Sequence, residues 1–326
     1  MTEIKKIGVL TSGGDSPGMN AAIRGVVRTA VYNDIECLGV FRGYDGLIAG
    51  DFKKLHVRSV SKILGRGGTI LKSARSEEFR TVEGRQKAAE KLREAGIDGL
   101  VVIGGNGTFT GAMIFEQEHG IPVIGIPGTI DNDLYGTDNT IGYDTATNTV
   151  VEAVDKIRDT ANSHSRLFFV EVMGRDSGFI ALRAGIATGA IAVLLPEEDL
   201  SIDELIQILE RGAASRKTSS IVIVAEGDEN GGAYEVAQKV TEKYSEYETK
   251  VTVLGHIQRG GVPSCWDRVL ASRMGVAAVE GLVAGEHNVM IGIVNDQERF
   301  TSFEEAITSN VNPNLEELRM SKILSI

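Results

Sequence analysis

The residues best suited to chemistry lie in one short segment, residues 129–133, which carries a hydroxyl, two carboxylates and an amide. The apolar run at 122–126 predicts a buried strand that ends directly before this segment. Ligands of open α/β sheets bind at the carboxyl ends of the strands. Asp131 and Asp133 are therefore predicted to bind a metal ion or to accept a proton. A solvated turn rich in Asp and Asn is the alternative for this segment taken alone.

Glycine-rich turns follow two further predicted strands. One strand leads into residues 13–14 and then into a helix predicted over 19–31, and the other leads into residues 104–108. Such a loop can present backbone N–H groups and a helix N-terminus to a phosphate, and a turn shaped only for packing is the alternative. The P-loop is excluded because no Gly-Lys pair occurs in the sequence. The dinucleotide fingerprint fails because its third glycine falls one position late, at Gly111.

The elements that must position these residues alternate between strands and helices, which predicts an α/β architecture with largely parallel sheets. The predicted strands cover residues 7–10, 100–103, 122–126, 167–173, 190–195, 221–225 and 251–255. The predicted helices cover residues 19–31, 59–64, 83–95, 143–160 and 269–282, and a surface helix is expected from Phe303 onward. The chain is long enough for two cores, and we expect their boundary near Ile141, although no polar linker marks it.

Composition excludes several other classes of protein. With 326 residues, 42% of them apolar, and no apolar run of about eighteen residues, the sequence predicts a globular protein that is neither membrane-spanning nor secreted. The formal charge of −11 argues against nucleic acid or an anionic membrane as the partner. Cys37 and Cys265 are predicted to fill the core in a reducing compartment, which indicates the cytoplasm. Trp266 is expected in the core or at an interface.

Glycine turns, isolated arginines and an aspartate turn, all at strand ends, together suit phosphoryl transfer. In that reaction backbone donors hold the phosphates, Arg and Mg²⁺ stabilise the developing charge, and a carboxylate accepts the proton of the attacking hydroxyl. Arg suits this purpose better than Lys because its planar fork binds two phosphate oxygens at once. The residues alone predict a kinase or another phosphate-handling enzyme without defining its substrate.

Five motifs, in the same order over about residues 4–294, are similar to those of bacterial 6-phosphofructokinases. They are Thr11-Ser12-Gly13-Gly14-Asp15 with Met19-Asn20, Gly104-Gly105 with Gly107, Pro127-Gly128-Thr129-Ile130-Asp131-Asn132-Asp133, Met173-Gly174-Arg175, and Gly255-His256-Ile257-Gln258-Arg259-Gly260-Gly261. The resemblance implies Mg²⁺-dependent transfer of the γ-phosphoryl group of ATP to the 1-hydroxyl of fructose 6-phosphate in glycolysis, by an allosteric, cytoplasmic homotetramer. It implies two Rossmann-like, three-layer domains with mainly parallel sheets. Residues 1–141 with 256–303 would bind ATP, and residues 142–255 with 304–326 would bind fructose 6-phosphate.

The resemblance also assigns roles to individual residues. Catalysis would use Asp131 as the base that takes the sugar hydroxyl proton, together with Thr129, Arg75 and Arg175. ATP would contact Gly14, Arg75, Ser76, Gly105, Asn106, Gly107, Thr108 and Gly111. Fructose 6-phosphate would contact Thr129, Asp131, Asp133, Met173, Gly174, Arg175, Glu226, His256 and Arg259, as well as Arg166 and Lys250 from a neighbouring subunit. Mg²⁺ would be held by Asn106, Asp131 and Asp133. An effector would bind between subunits, at Arg24, Arg28, Arg58, Arg158, Arg216 and Lys217.

The sequence departs from the family's pattern at several of these positions. Asn106 stands where the family has a magnesium-binding aspartate. Either Asp131 and Asp133 carry the metal in an active enzyme, or the chain is a weakly active or regulatory paralogue. Lys250 replaces an arginine, which predicts looser substrate binding. The effector site has Ile191 for a glutamate, Val57 for an arginine, and Ser215 and Ser219 for a lysine and a histidine, so phosphate is expected to bind there but activation by ADP to be weak or absent.

The phosphoryl donor is predicted from the size of two residues. Relatives that use pyrophosphate carry an aspartate at the position of Gly107 and a lysine at that of Gly128, and these side chains would fill the space of the α-phosphate. Glycine at both positions predicts ATP as the donor, with pyrophosphate as the alternative.

Overall fold

The computed structural model describes residues 4–161, 166–214 and 220–325. The strands are β1 (Lys6–Thr11), β2 (Glu36–Val40), β3 (Phe52–Leu55), β4 (Gly99–Gly104), β5 (Val123–Pro127), β6 (Arg166–Val172), β7 (Ala192–Leu194), β8 (Ser220–Ala225), β9 (Glu248–Val253), β10 (Val289–Val294) and β11 (Gln297–Ser302). The helices are α1 (Met19–Tyr32), α2 (Gly43–Ala49), α3 (Val82–Ala95), α4 (Asn106–His119), α5 (Tyr143–Ala161), α6 (Phe179–Thr188), α7 (Ile202–Ala214), α8 (Ala233–Lys243), α9 (Cys265–Ala284), α10 (Phe303–Thr308) and α11 (Leu315–Leu324). Among the described residues, no helix is long and apolar enough to cross a membrane.

The chain divides into two compact units. The first consists of the residues up to Ile130, Leu134–Thr145 and Arg259–Val311, and the second of Asp131–Asp133, Ala146–Gln258 and the residues from Asn312 onward. Each unit therefore contains segments that are distant in the sequence.

The first unit is built on a sheet that has seven strands among the described residues, in the order β11-β10-β5-β4-β1-β2-β3. Its inner strands are parallel, and the edge strands β3 and β11 pair antiparallel with β2 and β10. Every residue of β4 is buried, as expected where helices cover both faces of a parallel sheet. The prediction of an α/β fold with mainly parallel sheets is confirmed.

Two apolar cores cover the two faces of this sheet, and alternate residues of β4 point into them. One core contains residues of α1 and α9, and the other contains residues of α2, α3, α4 and α10. The helices α1 and α9 approach closely at Gly25 and Gly275, where a Cβ on Gly275 would lie only 2.6 Å from the carbonyl oxygen of Ala22. Glycine permits this approach, which allows both helices to pack on the same face of the sheet.

The second unit holds a sheet that, in the described part of the chain, has four parallel strands in the order β7-β8-β6-β9. Helices α7 and α8 contribute apolar residues to the core over this sheet, and α11 packs on α6. Because β8, β6 and β9 are neighbours and parallel, the segments that follow them emerge at one edge of the sheet. These segments carry the residues that the resemblance assigns to the sugar phosphate, including Met173, Glu226 and His256.

The structure corrects several predictions of local structure. Residues 59–64 form turns and not a helix, since Lys62 adopts a left-handed conformation with φ 58°. Phe303, predicted to begin a surface helix, is fully buried. Cys265 is exposed and does not fill the core, whereas Cys37 does. Trp266 is exposed in this chain and lies outside its core, which leaves an interface as its expected environment.

Candidate active site

The loop between β1 and α1 is held from two sides. Gly13 adopts a positive φ of 82°, and its carbonyl accepts a hydrogen bond of 2.6 Å from the hydroxyl of Ser73. The carbonyl of Ser12 accepts one of 3.2 Å from the hydroxyl of Thr108, in the first turn of α4. The structure therefore places this glycine loop beside two other segments that are predicted to bind ATP.

The second glycine turn forms the N-terminus of α4. Gly105 precedes the helix, and Asn106 and Gly107 begin its first turn. A Cβ added to Gly107 would meet no atom of the described residues within 4 Å. Backbone N–H groups at the start of a helix and the helix dipole both favour an anion. The open space at Gly107 therefore suits a phosphate group.

The other residues predicted to bind ATP differ in their surroundings. A Cβ on Gly111 would lie 3.2 Å from the ring of Tyr44, which stacks on Phe79 at 3.9 Å between ring centroids. Glycine at this position therefore lets α4 pack on the aromatic pair. The hydroxyl of Ser76 accepts a hydrogen bond of 3.2 Å from the N–H of Phe79. Arg75 is exposed, and its guanidinium is open to solvent.

Arg259 lies against the loop between β1 and α1. A Cβ on Gly14 would be 2.7 Å from Nη1 of Arg259, which donates a hydrogen bond of 3.4 Å to the carbonyl of Asp15. Burial raises the pKa of the Asp15 carboxyl, although N–H groups of Thr69 and Ser16 and the charge of Arg259 partly offset this. The structure thus places Arg259, which the resemblance assigns to fructose 6-phosphate, beside the loop assigned to ATP.

The turn that carries Asp131 is buried. Asp131 is 7% exposed, Thr129 and Asn132 are also buried, and Asp133 is half-buried. The carbonyl of Thr129 accepts a hydrogen bond of 2.6 Å from the hydroxyl of Thr140, and Asn132 adopts a left-handed φ of 54°. Carboxylates are rarely buried unless their surroundings or a ligand compensate the charge. The alternative of a solvated turn is therefore excluded.

Ser177 connects this turn with the loop that follows β6. Its hydroxyl donates a hydrogen bond of 2.7 Å to the carbonyl of Asp131, and its N–H donates one of 3.0 Å to the carbonyl of Gly174. Ser177 is itself buried. No sequence motif marks Ser177, and the only signal for it is its position two residues after Arg175.

The loop at residues 173–175 has an unusual backbone. Gly174 has φ 150°, and Arg175 has a left-handed φ of 56°, which costs a residue other than glycine about 1 kcal/mol or more. The carboxylate of Glu226 stabilises this conformation, because its Oε1 accepts hydrogen bonds from the N–H of Arg175 at 2.7 Å and from that of Gly174 at 3.3 Å. The structure thus brings Glu226 to the loop that carries Arg175, whose side chain is exposed.

The short 3₁₀ helix Gly255–Arg259 contains one exposed residue and one buried residue that bear on the site. His256, predicted to bind the sugar phosphate, is exposed. Gln258 is fully buried, accepts a hydrogen bond of 3.2 Å from the N–H of Met173 and donates one of 3.1 Å to the carbonyl of Gly255. In the sequence Gln258 stands out only as part of a motif, because its contact with Met173 depends on the fold.

Arg166 and Lys250 share one carboxylate. Nε of Arg166 lies 2.8 Å from Oε2 of Glu248, and Nζ of Lys250 lies 2.6 Å from Oε1. The hydrogen bond from Lys250, followed by that from Arg166, lowers the pKa of Glu248 to about 2. The two cations predicted to bind the sugar phosphate of a neighbouring subunit are therefore adjacent on neighbouring strands, with Glu248 as their anionic partner.

The predicted effector residues lie in both units. Arg24 and Arg28 are one turn apart on α1, and burial, followed by the charge of Arg28, lowers the pKa of Arg24. Arg58 is exposed, and Arg158 donates a hydrogen bond to the carbonyl of Thr188 at the end of α6. The effector site stays a prediction. Arg216 and Lys217 lie outside the described residues, as do Ser215 and Ser219.

The oxygen donors suit a magnesium ion that is bound together with a nucleotide. Among the described residues, no group of three or more His, Cys, Asp or Glu could hold a metal ion. Mg²⁺ usually takes only one or two carboxylates from the protein and completes its shell with phosphates and water. Oδ1 of Asn106 and Oδ1 of Asp131 are each shielded from solvent and are oxygen donors of the required kind. Each of the two residues therefore offers an oxygen of the kind that Mg²⁺ binds.

A mainly parallel sheet whose strands end in glycine loops and in a buried aspartate turn defines a phosphate-binding enzyme of the open α/β class. The family model for phosphofructokinase matches residues 6–282. The chain belongs to the phosphofructokinase family.

Individual relatives agree with this result. The chain is 53% identical over 326 residues to ATP-dependent 6-phosphofructokinase 2 of Bacteroides thetaiotaomicron, with 100% of both chains covered. It is 55% identical over 323 residues to ATP-dependent 6-phosphofructokinase 1 of Thermus thermophilus, with 99% of this chain and 100% of the relative covered. The structure of phosphofructokinase from Saccharomyces cerevisiae superposes with a TM-score of 0.88 at 40% identity, covering 93% of this chain and 45% of that longer chain. The resemblance inferred from five motifs is confirmed.

Proposed function

We propose that the protein is an ATP-dependent 6-phosphofructokinase, which transfers the γ-phosphoryl group of ATP to the 1-hydroxyl of fructose 6-phosphate and forms fructose 1,6-bisphosphate in glycolysis. The observation that carries this proposal is the buried carboxylate of Asp131 after β5, in a chain 53% identical over its full length to an ATP-dependent 6-phosphofructokinase. The glycine loops and the exposed guanidinium groups of Arg75 and Arg175 support it.

Asp131 is the proposed general base. Its carboxylate accepts the proton of the sugar hydroxyl as that oxygen attacks the γ-phosphorus, and such a base contributes about 10²- to 10⁴-fold to the rate. Burial limits competition from water, and the hydrogen bond from Ser177 holds the backbone of the turn. Arg75 and Arg175 are proposed to stabilise the charge of the moving phosphoryl group, because a guanidinium binds two phosphate oxygens at once.

The first unit is proposed to bind ATP, through the loop that contains Gly14 and the N-terminus of α4. Gly107 supports ATP as the donor, because the space beside it is open. Gly128 does not support that argument. A Cβ there would lie 3.0 Å from Ile103 and 3.1 Å from Met19, so this position faces the apolar core and packing explains the glycine. The choice of ATP over pyrophosphate therefore depends on Gly107 and on the relatives.

The second unit is proposed to bind fructose 6-phosphate. Glu226 would contact sugar hydroxyls while it holds the loop of Arg175. Arg166 and Lys250 would bind the phosphate of a substrate held by a neighbouring subunit of a homotetramer. Their present bonds to Glu248 show that both cations can contact a single anion. His256 and Arg259 remain proposed ligands of the same phosphate.

Mg²⁺ is proposed to bind with ATP through the amide oxygen of Asn106 and the carboxylates of Asp131 and Asp133. When bound, it neutralises part of the phosphate charge. A cytoplasmic location is proposed because ATP and two free cysteines, Cys37 and Cys265, are typical of a reducing compartment.

A coupled assay of fructose 1,6-bisphosphate formation tests the proposal, with Mg²⁺ and either ATP or pyrophosphate. We expect product with ATP and not with pyrophosphate. The variant Gly107→Asp should raise the KM for ATP, because its side chain fills the open space at α4. Gly65→Asp is the matched control, since this glycine also has open space around it. No product with ATP would overturn the proposed function, and product with pyrophosphate alone would overturn the donor.

A further inference from the structure

Asp267, in the first turn of α9, is fully buried and accepts hydrogen bonds on both oxygens of its carboxylate. Its Oδ1 accepts a bond of 2.8 Å from the N–H of Gly142, and its Oδ2 accepts one of 2.8 Å from the N–H of Thr145. The hydroxyl of Thr145 also donates to Oδ2. A buried carboxylate needs partners that compensate its charge, and these three donors supply them.

The carboxylate of Asp267 connects the starts of two helices. Gly142 directly precedes α5, and Thr145 lies in the first turn of that helix. The hydroxyl of Thr145 accepts a hydrogen bond of 2.9 Å from the N–H of Ser264, the N-cap residue of α9, and directs its single proton to Asp267. The partial positive charge at the N-terminus of a helix favours an anion, and here two such termini surround one carboxylate.

The segment that Asp267 holds also contacts the loop between β1 and α1. The hydroxyl of Ser16 donates a hydrogen bond of 2.6 Å to the carbonyl of Ile141, the residue before Gly142. A Cβ on Gly142 would lie 2.7 Å from Oγ of Ser16. A Cβ on Gly18 would lie 2.7 Å from Cγ2 of Ile141 and 3.5 Å from Cβ of Asp267. The last residues of the loop therefore lie directly on this segment and on Asp267.

The two ends of the loop between β1 and α1 are fixed by different parts of the chain. Carbonyl groups at its beginning accept hydrogen bonds from the hydroxyls of Ser73 and Thr108. Its end is bonded to Ile141 through Ser16. Gly14, which is proposed to contact ATP, lies between these two attachments. Movement of Ile141 would therefore displace the loop on one side of Gly14 only and would change its shape.

We propose that Asp267 is a positioning residue for the binding of ATP. It fixes residues 141–145, and Ser16 transmits their position to the loop that contains Gly14. This inference rests on the proposed function, which assigns the loop to ATP and the second unit to fructose 6-phosphate. Loss of the carboxylate should therefore weaken the binding of ATP alone. A merely structural defect would lower the amount of folded protein and leave both affinities unchanged.

Calorimetry of the full-length protein tests this inference, with the Kd for ATP in the presence of Mg²⁺ and the Kd for fructose 6-phosphate as readouts. Asp267→Asn keeps the volume of the side chain, but its NH₂ group must face the N–H of Gly142 or of Thr145, and neither can accept a hydrogen bond. We expect the Kd for ATP to rise about 3- to 30-fold. The Kd for fructose 6-phosphate should stay the same.

Glu116→Gln is the matched control, because it makes the same change from a carboxylate to an amide in the same unit. Glu116 is buried, and its Oε2 accepts hydrogen bonds of 3.0 Å from the N–H groups of Val123 and Asn288. Val123 begins β5 and Asn288 directly precedes β10, so this carboxylate lies at the edge of the sheet where these parallel strands start. The control should lower the melting temperature without raising the Kd for ATP.

A double-variant cycle tests the connection through Ser16. Ser16→Ala removes the hydrogen bond to Ile141 and should also raise the Kd for ATP. Because both substitutions release the same end of the loop, the double variant of Asp267→Asn and Ser16→Ala should bind ATP about as weakly as the weaker single variant. Thr145→Val should raise the Kd for ATP too, whereas Thr145→Ser keeps the hydroxyl and should keep the parent affinity.

An unchanged Kd for ATP in Asp267→Asn, an equal rise in Glu116→Gln, or a double variant with the product of the two single effects would each overturn the inference. If circular dichroism shows that Asp267→Asn does not fold, Thr145→Val compared with Thr145→Ser decides the result. A parent protein that binds ATP but forms no fructose 1,6-bisphosphate would refute the proposed function, and the Kd values would still decide the role of Asp267. A parent protein that binds no ATP would refute both.

Discussion

The hydroxyl of Ser177 donates a hydrogen bond of 2.7 Å to the carbonyl oxygen of Asp131. This bond couples the turn of the proposed base to the loop of Arg175, because the N–H of Ser177 also bonds to the carbonyl of Gly174. Catalytic groups must be held to within about 0.5 Å of their productive positions. Ser177 is therefore a positioning residue, which acts on the reaction through the backbone of its neighbours.

Replacement of Ser177 by alanine should lower kcat about 3- to 10-fold, since one buried hydrogen bond is worth about 1 kcal/mol. The KM for ATP should not change, and steady-state kinetics measures both quantities. Ser61→Ala is the control, because this exposed serine also donates to a carbonyl, that of Arg58 at 2.8 Å. A Ser177→Ala enzyme with the kcat of the parent would show that the bond has no influence on the base.

Replacement of Glu226 by alanine should raise the KM for fructose 6-phosphate and lower kcat, each by about tenfold or more. The variant loses two hydrogen bonds to a charged acceptor, and the left-handed backbone of Arg175 can then relax. Glu226→Gln should have a smaller effect, because its amide oxygen can still accept from both N–H groups. Equal losses in the two variants would mean that the charge of Glu226 matters and its contact with the loop does not.

Sequence patterns predicted buried strands such as β4 and β5, because an uninterrupted apolar run is a simple signal. The strands β2 and β10 were missed, although the middle four residues of β10 are buried. Helix α4 was missed because it begins in a glycine-rich segment, and Gly107 and Gly111 lower its helix propensity. Residues 59–64 were predicted as a helix, and this segment contains Val60 and Ile63. Both side chains are indeed buried, but the left-handed backbone of Lys62 makes a turn.

The candidate site was less predictable, because bonds between distant residues leave no local pattern. Ser177 and Asp131 are 46 residues apart, and Gln258 and Met173 are 85 apart. The sequence could indicate that polar residues follow parallel strands, and therefore that Asp131 was a candidate. It could not indicate which backbone groups those residues contact, since that depends on the order of the strands.

Glu248 should make the stability of the protein depend on pH. Its pKa is about 2 in the folded chain and 4.5 ordinarily, so the folded chain binds this proton less readily. The stabilisation is present above pH 4.5 and is lost as the pH falls through about 2. The melting temperature of Glu248→Gln should therefore be lower than that of the parent near pH 6. This difference should be smaller near pH 3. It should be modest, because Glu248 is exposed.

Glu298→Gln is the control for this measurement, because it makes the same substitution at another exposed glutamate, in β11. A difference for Glu248→Gln that is the same at both pH values would contradict the ion pairs with Arg166 and Lys250.

Replacement of Asn106 by aspartate should lower the Mg²⁺ concentration needed for half-maximal activity or raise kcat, because a carboxylate is a stronger magnesium ligand than an amide. A titration of activity with Mg²⁺ at fixed ATP measures both effects. Asn314→Asp is the control, since it also adds a negative charge at the start of a helix, α11. An unchanged titration for Asn106→Asp would count against a role of residue 106 in metal binding.

The role of Asp131 as the base is decided by the kcat of Asp131→Asn at saturating ATP, Mg²⁺ and fructose 6-phosphate. Asparagine keeps the volume of the side chain but cannot take the hydroxyl proton. We expect kcat to fall about 10²- to 10⁴-fold, while the Kd for fructose 6-phosphate from calorimetry stays within a few-fold of the parent value. A kcat close to that of the parent enzyme would show that another group, and not Asp131, removes the proton.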